Sequence, residues 1–275
     1  MNGKRRNFLI GILSVACFLS GQALAAYPQN LASEYAVLGS RSIVCESELP
    51  EIKKTRTVYF ISGLAADERL FHNLHLPENI KVKYLPWLEP EKTESMNSYC
   101  RRLASRIDTS SGFVLVGLSF GGMAAIEMNK FLRPRKTVLI SSIVTEDGLS
   151  RFFRIVHRFR LHHIVPTWLY KHFYPGAYWF FGAKTQEQRQ LTRDLMDDAS
   201  KNLLKWSVDQ LVGWQNQFRP ANVFQMNGTR DRVFPYKRTN TNVLIKGGTH
   251  MMVYRRADEV SAILTEELAN VDWKD

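Results

Sequence analysis

The stretch VLVGLSFGGMAA, residues 114–125, places a serine between glycines at the end of an apolar run. On its own, the pentapeptide Gly117-Leu118-Ser119-Phe120-Gly121 is a weak pattern that many glycine-rich turns satisfy. Its surroundings carry more weight. The preceding FVLVG lacks polar alternation, as expected of a strand buried on both faces. After the serine, Gly122, Ala124 and Ala125 keep a following helix thin enough to pack close to its neighbours. Gly117 and Gly121 remove side chains that would collide if the chain turned tightly between strand and helix. Such a turn holds the serine hydroxyl above the sheet, at the positive end of a helix. Ser119 is therefore the candidate nucleophile.

A serine hydroxyl attacks only when a base takes its proton, and the base needs an acid to orient it. Working outward, five further apolar runs end in turn residues: TVYFISG (57–63), VKYLPW (82–87), TVLISS (137–142), NVFQMNG (222–228) and NVLIKGG (242–248). Asp231 lies just past the fifth of the six runs, in NGTRDRVFP, and His250 just past the sixth, in IKGGTHMMV. An isolated aspartate in a turn more often caps that turn, and a lone histidine more often packs or faces solvent. The joint occurrence shifts the balance, because serine, aspartate and histidine each fall at the carboxyl end of an expected strand. Glu146 and Asp147, after the fourth run, are rival acids in a poorer context. A tetrahedral intermediate also needs backbone donors. The Phe120 N–H is one candidate, and the Leu64 N–H in FISGLAADERLF is the other, with Ala65 the near alternative. Asp67 and Arg69 read as braces for this loop, and Phe71 as its anchor.

Between the apolar runs lie helical stripes. Met96, Tyr99, Cys100, Leu103 and Ile107 share one face over 94–107. Gly121 to Phe131 follows the serine, and Val260, Ile263, Leu264 and Leu268 mark a last helix over 257–269. Strands alternating with helices predict an α/β fold: a mainly parallel sheet with helices on both faces. Residues 145–199 are too long for an unstructured connection, and predict a helical cap inserted into the core. The expected organisation is a core formed by 26–144 and 200–275, interrupted by the cap.

Taken together, FISGLAADERLF, GLSFGGMAA, GTRDRVFP and GGTHMMV resemble the α/β-hydrolase superfamily, in its serine esterase and lipase-like form. The resemblance runs from about Thr57 to the final helix. It implies a Ser119–His250–Asp231 triad, a helical lid after the fourth run and no cofactor. The loop reads Ser62-Gly63 where many lipases and esterases carry His-Gly, so the second oxyanion donor is the departure from the pattern. The expected activity is cleavage of carboxylic esters or thioesters. The alternatives are amide hydrolysis, perhydrolysis or acyl transfer on the same fold, and a binding protein without catalysis.

Composition sets the outer bounds. The 275 residues are 45% hydrophobic and 12% aromatic, which excludes a disordered or low-complexity chain. Lys4, Arg5 and Arg6 precede the short apolar run FLIGILSVACFL, followed by small residues at Ala23 and Ala25. This predicts a secretory signal over 1–25 and export to the periplasm or beyond, with an uncleaved membrane anchor as the alternative. Cleavage would lower the net charge from +11 to +8. The surplus of basic residues brings no nucleic-acid motif with it, and no nucleic-acid partner is expected. Two cysteines remain, Cys45 and Cys100, as one disulfide or as a buried free thiol at Cys100. His162 and His163 are adjacent but bring no ligand set, so no metal is expected. In the cap, Trp168, Tyr170, Phe173, Tyr174, Tyr178, Trp179, Phe180 and Phe181 suit either a pocket for a small or lipid-like ester, or the cap's own core. Its basic residues suit either peripheral membrane contact or a solvated face.

Overall fold

The computed structural model describes residues 56–64 and 66–273. The signal segment, Cys45 and Ala65 lie outside the described residues. Among these, six strands form one sheet: β1 (Arg56–Ile61), β2 (Ile80–Tyr84), β3 (Phe113–Leu118), β4 (Lys136–Ile140), β5 (Val223–Gly228) and β6 (Val243–Ile245). Their order is β2-β1-β3-β4-β5-β6, and every neighbouring pair is parallel. Parallel strands need crossovers, and helices supply them. The central strands β1, β3 and β4 therefore run apolar without clean alternation, because both their faces are covered, whereas β2 alternates Ile80, Val82 and Tyr84 with Lys81 and Lys83.

Alternate side chains of the central strands feed two separate cores. Tyr59, Ile61, Phe113, Leu115 and Leu139 face helices α1 (Met96–Ala104) and α2 (Phe120–Met128). Val58, Phe60, Val114, Val116 and Ile140 face the opposite way. There they meet the last two helices of the chain. Every residue of α2 is buried, which explains a helix with no polar stripe. The expected run VKYLPW is displaced: β2 starts at Ile80 and ends at Tyr84. Pro86 has no N–H to give to a ladder, so pairing stops before it.

Between β4 and β5 lie α3 (Arg151–Arg158), α4 (Leu161–Ile164), α5 (Thr167–His172), α6 (Tyr174–Phe181), α7 (Gln186–Asp198) and α8 (Lys201–Val212). The first four are short for local reasons. Arg160 takes a left-handed conformation between α3 and α4, Pro166 precedes α5, Pro175 sits in the first turn of α6, and Gly182 ends α6 at φ 77°. The chain closes with α9 (Met252–Arg255) and α10 (Ala257–Ala269) on the second face, where Met252, Val253, Val260, Leu264 and Leu268 complete that core. Among the described residues, no helix is long and apolar enough to cross a membrane.

Helix α8 is fastened to α1 by a buried acid. Glu94 is 8% exposed, and both its carboxylate oxygens accept from Arg102, at 3.1 and 2.7 Å. Its carbonyl accepts from the Trp206 indole on α8 at 2.7 Å, and that ring lies 4.2 Å from Tyr99. The Arg102 hydrogen bonds hold the Glu94 carboxyl below the usual glutamate range; burial opposes them, and the Glu91 N–H adds to them. A depressed folded value stabilises the fold above the unfolded pKa of about 4.3 and is lost as pH falls through the folded value. Glu94→Gln is therefore expected to lower stability at neutral pH by about 1–2 kcal/mol. Denaturant titrations of both proteins from pH 7 downward should show the gap closing in acid.

Candidate active site

Ser119 follows β3 directly and precedes the first residue of α2. It adopts φ 54°, ψ −120°, a conformation costing a non-glycine residue roughly 1–3 kcal/mol. The surroundings impose it. The Ser119 N–H donates to the Ile140 carbonyl at 2.9 Å, and the Ser142 hydroxyl donates to the Ser119 carbonyl at 2.6 Å. The turn is closed sterically as well. A Cβ on Gly121 would lie 2.3 Å from the carbonyl oxygens of Ile61 and Ser62, and one on Gly117 would lie 2.4 Å from Gly122 Cα.

Two loops bring the other predicted residues to this serine. The His250 Nε2 lies 2.7 Å from Ser119 Oγ, and its Nδ1 lies 2.9 Å from Asp231 Oδ2. The second oxygen of Asp231 accepts the N–H groups of Val233 and Phe234 at 2.8 and 3.0 Å. All three side chains are buried. The loops are tied to each other by three bonds. Arg230 N–H donates to Gly248 O at 2.8 Å, Gly247 N–H to Thr229 Oγ1 at 2.8 Å, and Thr229 N–H to Ile245 O at 3.0 Å. Ser119, His250 and Asp231 thus form one hydrogen-bonded chain across three strand ends. The rival acids are elsewhere: Glu146 accepts from Gln217, and Asp147 faces Arg219 at 3.8 Å.

The loop after β1 sits against the serine. Gly63 is close enough that a Cβ there would meet Ser119 Cβ at 3.4 Å. The Gly63 carbonyl accepts from the Trp87 indole at 3.0 Å, and the Ser62 hydroxyl donates to Ala66 O at 2.6 Å. Asp67 and Arg69 pair at 2.6 Å, and Arg69 reaches on to Asp198 on α7 at 2.7 Å. Phe71 is buried edge-on against Phe60 at 5.0 Å. Phe120, as the first residue of α2, has no acceptor for its N–H within the helix. Ser119, His250, Gly63 and Leu64 open onto a cavity of about 710 Å³, whose remaining walls are almost wholly apolar side chains.

Sequence reasoning named Phe181 only as a cap aromatic and did not anticipate several contacts that hold this arrangement. Phe181 on α6 stacks on the His250 ring at 5.7 Å, and Phe234 meets it edge-on at 5.8 Å. The Phe181 carbonyl accepts from Met251 N–H at 3.2 Å, and Gly182 packs on Thr249. Ser142 and Trp87 were likewise silent, since neither has a local motif. Asp209 on α8 amends the expectation of no ligand set around the paired histidines. It lies 3.0 Å from His162 Nε2 and 3.7 Å from His163 Nε2, a group spaced so that it could hold an ion. None of the three lines the cavity. Their evident work is a hydrogen bond joining α4 to α8. Cys100 is a free, fully buried thiol whose ionisation burial pushes well above the ordinary range.

A family model described as the alpha/beta hydrolase family matches residues 88–263, a span that includes Ser119, Asp231 and His250. The chain belongs to the alpha/beta hydrolase family. Solved structures agree on the fold. A thermophilic esterase from Thermogutta terrifontis superposes with a TM-score of 0.57 at 15% identity, covering 78% of this chain and 89% of that one. A bromoperoxidase from Bacillus anthracis gives 0.59 at 17% identity, covering 78% and 92%. A hydrolase from Oleispira antarctica gives 0.60 at 11% identity, covering 78% and 91%. Comparison with curated proteins by sequence gives no match.

The packing of this tight turn, the elbow that carries Ser119, is directly testable. The atoms facing an added Cβ at Gly121 are backbone carbonyls of β1 and its exit, which cannot rotate away. Gly121→Ala is expected to cost about 3 kcal/mol or more in denaturant unfolding. Gly247, with open space around its missing side chain, provides a contrast in which backbone conformation alone matters.

Proposed function

We propose that this chain is an exported serine hydrolase that cleaves carboxylic esters or thioesters through an acyl-enzyme intermediate. The observation that carries the reading is the hydrogen-bonded chain from Ser119 Oγ through the His250 ring to Asp231, opening onto an apolar cavity. In this reading Ser119 Oγ attacks the carbonyl carbon while its proton passes to His250 Nε2. Asp231 holds Nδ1–H and supports the imidazolium that forms. The oxyanion is met by the N–H groups of Phe120 and Leu64, with the braced Gly63 turn keeping the second donor in place. As the tetrahedral species collapses, the leaving alkoxide or thiolate takes the proton from Nε2. Water then attacks the acyl carbon, gives a proton to His250, and the acid departs as that proton returns to Ser119.

The cavity favours the substrate class. Among the described residues, its walls offer packing surface for an acyl chain or aromatic group and no aspartate, glutamate, lysine or arginine, which supports a small-molecule or lipid-like ester. The basic, aromatic cap is the surface through which such an enzyme would touch a membrane. Export rests on the basic and apolar amino-terminal segment. Perhydrolysis is the second activity open to Ser119, His250 and Asp231, since one fold and one residue set serve several acyl chemistries.

Ser119→Ala and His250→Ala are each expected to lower kcat/KM on a p-nitrophenyl ester by about 10⁴-fold or more, and Asp231→Asn by about 10³–10⁴-fold. A fluorophosphonate probe should label the wild type and leave Ser119→Ala unlabelled. Equal labelling of the two, or full activity without His250, would remove the assignment. Amide turnover matching ester turnover would remove the ester preference.

A further inference from the structure

Eight of the eleven large apolar side chains that are exposed among the described residues fall between 152 and 179. They belong to α3 through α6. On α3, Phe153 and Val156 pack inward on the core, while Phe152, Ile155 and, just past its end, Phe159 present a second apolar face to solvent. Phe159 is 66% exposed, and Ile164 and Trp168, further along, are 75% and 63% exposed. Folding does not require this outer face, because the inner one already anchors the helix. A patch of this extent on a water-soluble surface ordinarily marks a contact.

Charge and position specify the contact. From Ser150 to Lys184 the sequence contains no aspartate or glutamate, but it contains Arg151, Arg154, Arg158, Arg160, Lys171 and Lys184. The four arginines are exposed and interleave with the apolar residues. Cations beside large apolar side chains, with tryptophans among them, match an anionic lipid surface, where the charges meet headgroups and the apolar groups enter the acyl boundary. The patch also reaches the cavity: Phe152, Phe173 and Trp179 are more than half exposed, yet they line it. Arg232 covers Trp179 at 4.5 Å, adding a cation at that edge.

We infer that the outer face of α3–α6 docks on a bilayer containing anionic phospholipid, so that the cavity draws its substrate from the lipid phase. The inference rests on the proposed hydrolase reading for the substrate, but the docking itself does not.

The test uses the full chain with vesicles of phosphatidylcholine, alone or with phosphatidylglycerol. The variant is Ile155→Gln/Phe159→Gln/Trp168→Gln, three exposed positions outside the cavity lining. Wild-type protein should sediment with the anionic vesicles, and binding should weaken at about 0.5 M salt, where charge is screened. The triple variant should bind about a hundredfold more weakly. It should keep the wild-type rate on a soluble short-chain ester and lose rate on a long-chain ester dissolved in the vesicles. The amino-terminal segment is the same in both proteins, so the difference reports the cap alone. Arg151→Glu/Arg158→Glu should lose the preference for anionic vesicles. Equal vesicle binding by wild type and triple variant overturns the inference. So does a wild-type dimer that becomes monomeric in the variant, since the face would then cover a second copy. Vesicle binding that depends on the three residues, without hydrolysis of any ester, keeps the docking and removes the hydrolase reading.

Discussion

How closely α2 lies against the sheet backbone governs the rest of the molecule. At Gly117, Gly121 and Gly122 there is no room for a side chain: the neighbours are main-chain atoms and, at Gly122, the Ser142 side chain. That proximity forces Ser119 into a positive-φ conformation. The backbone bonds to Ile140 and the bond from Ser142 then hold it there. The strain at one residue is offset by a fully buried helix and by two apolar cores. Close packing is what makes the serine's direction invariant, because a packed interior has discrete arrangements rather than a continuum.

The same economy governs the partners. Asp231 accepts two N–H groups of its own loop before it meets His250, so its carboxylate is already oriented. The histidine loop is bonded to the aspartate loop and stacked under Phe181 from the cap. The loop after β1 is held by Trp87 from below and, through Arg69, by Asp198 of α7. The histidine loop and the loop after β1 are therefore each held from a second side by the connection between β4 and β5.

What could be read in the sequence was local. The elbow was legible because glycine spacing, apolar run and thin helix all fall within twelve residues, and one physical constraint explains them together. Asp231 and His250 were legible because each follows a strand by a few residues, and strand ends in a parallel sheet share one rim. Residues that act across long separations left no such trace. Ser142 meets Ser119 only because β3 and β4 are neighbours, and Phe181 meets His250 only because α6 folds back. Asp209 joins His162 through a crossing of helices that no periodicity announces. The cap's fourfold break into short helices was partly visible in Pro166, Pro175 and Gly182, yet Arg160 gave no warning. The cap's aromatics divided between two fates that composition could not separate: Phe153 and Phe180 pack inward, whereas Phe159 and Trp168 stay outside.

Gly182 ties the end of α6 to the loop that carries His250. It ends α6 at φ 77°, and its missing side chain leaves the space that Thr249 fills, one residue before His250. A cap borrowed from a related chain would have to end in a residue that tolerates that turn and that neighbour. Otherwise the graft would displace the histidine while leaving the sheet intact. The end of α6 and the loop that carries His250 are therefore one mechanical unit, and a change to either is felt by the other.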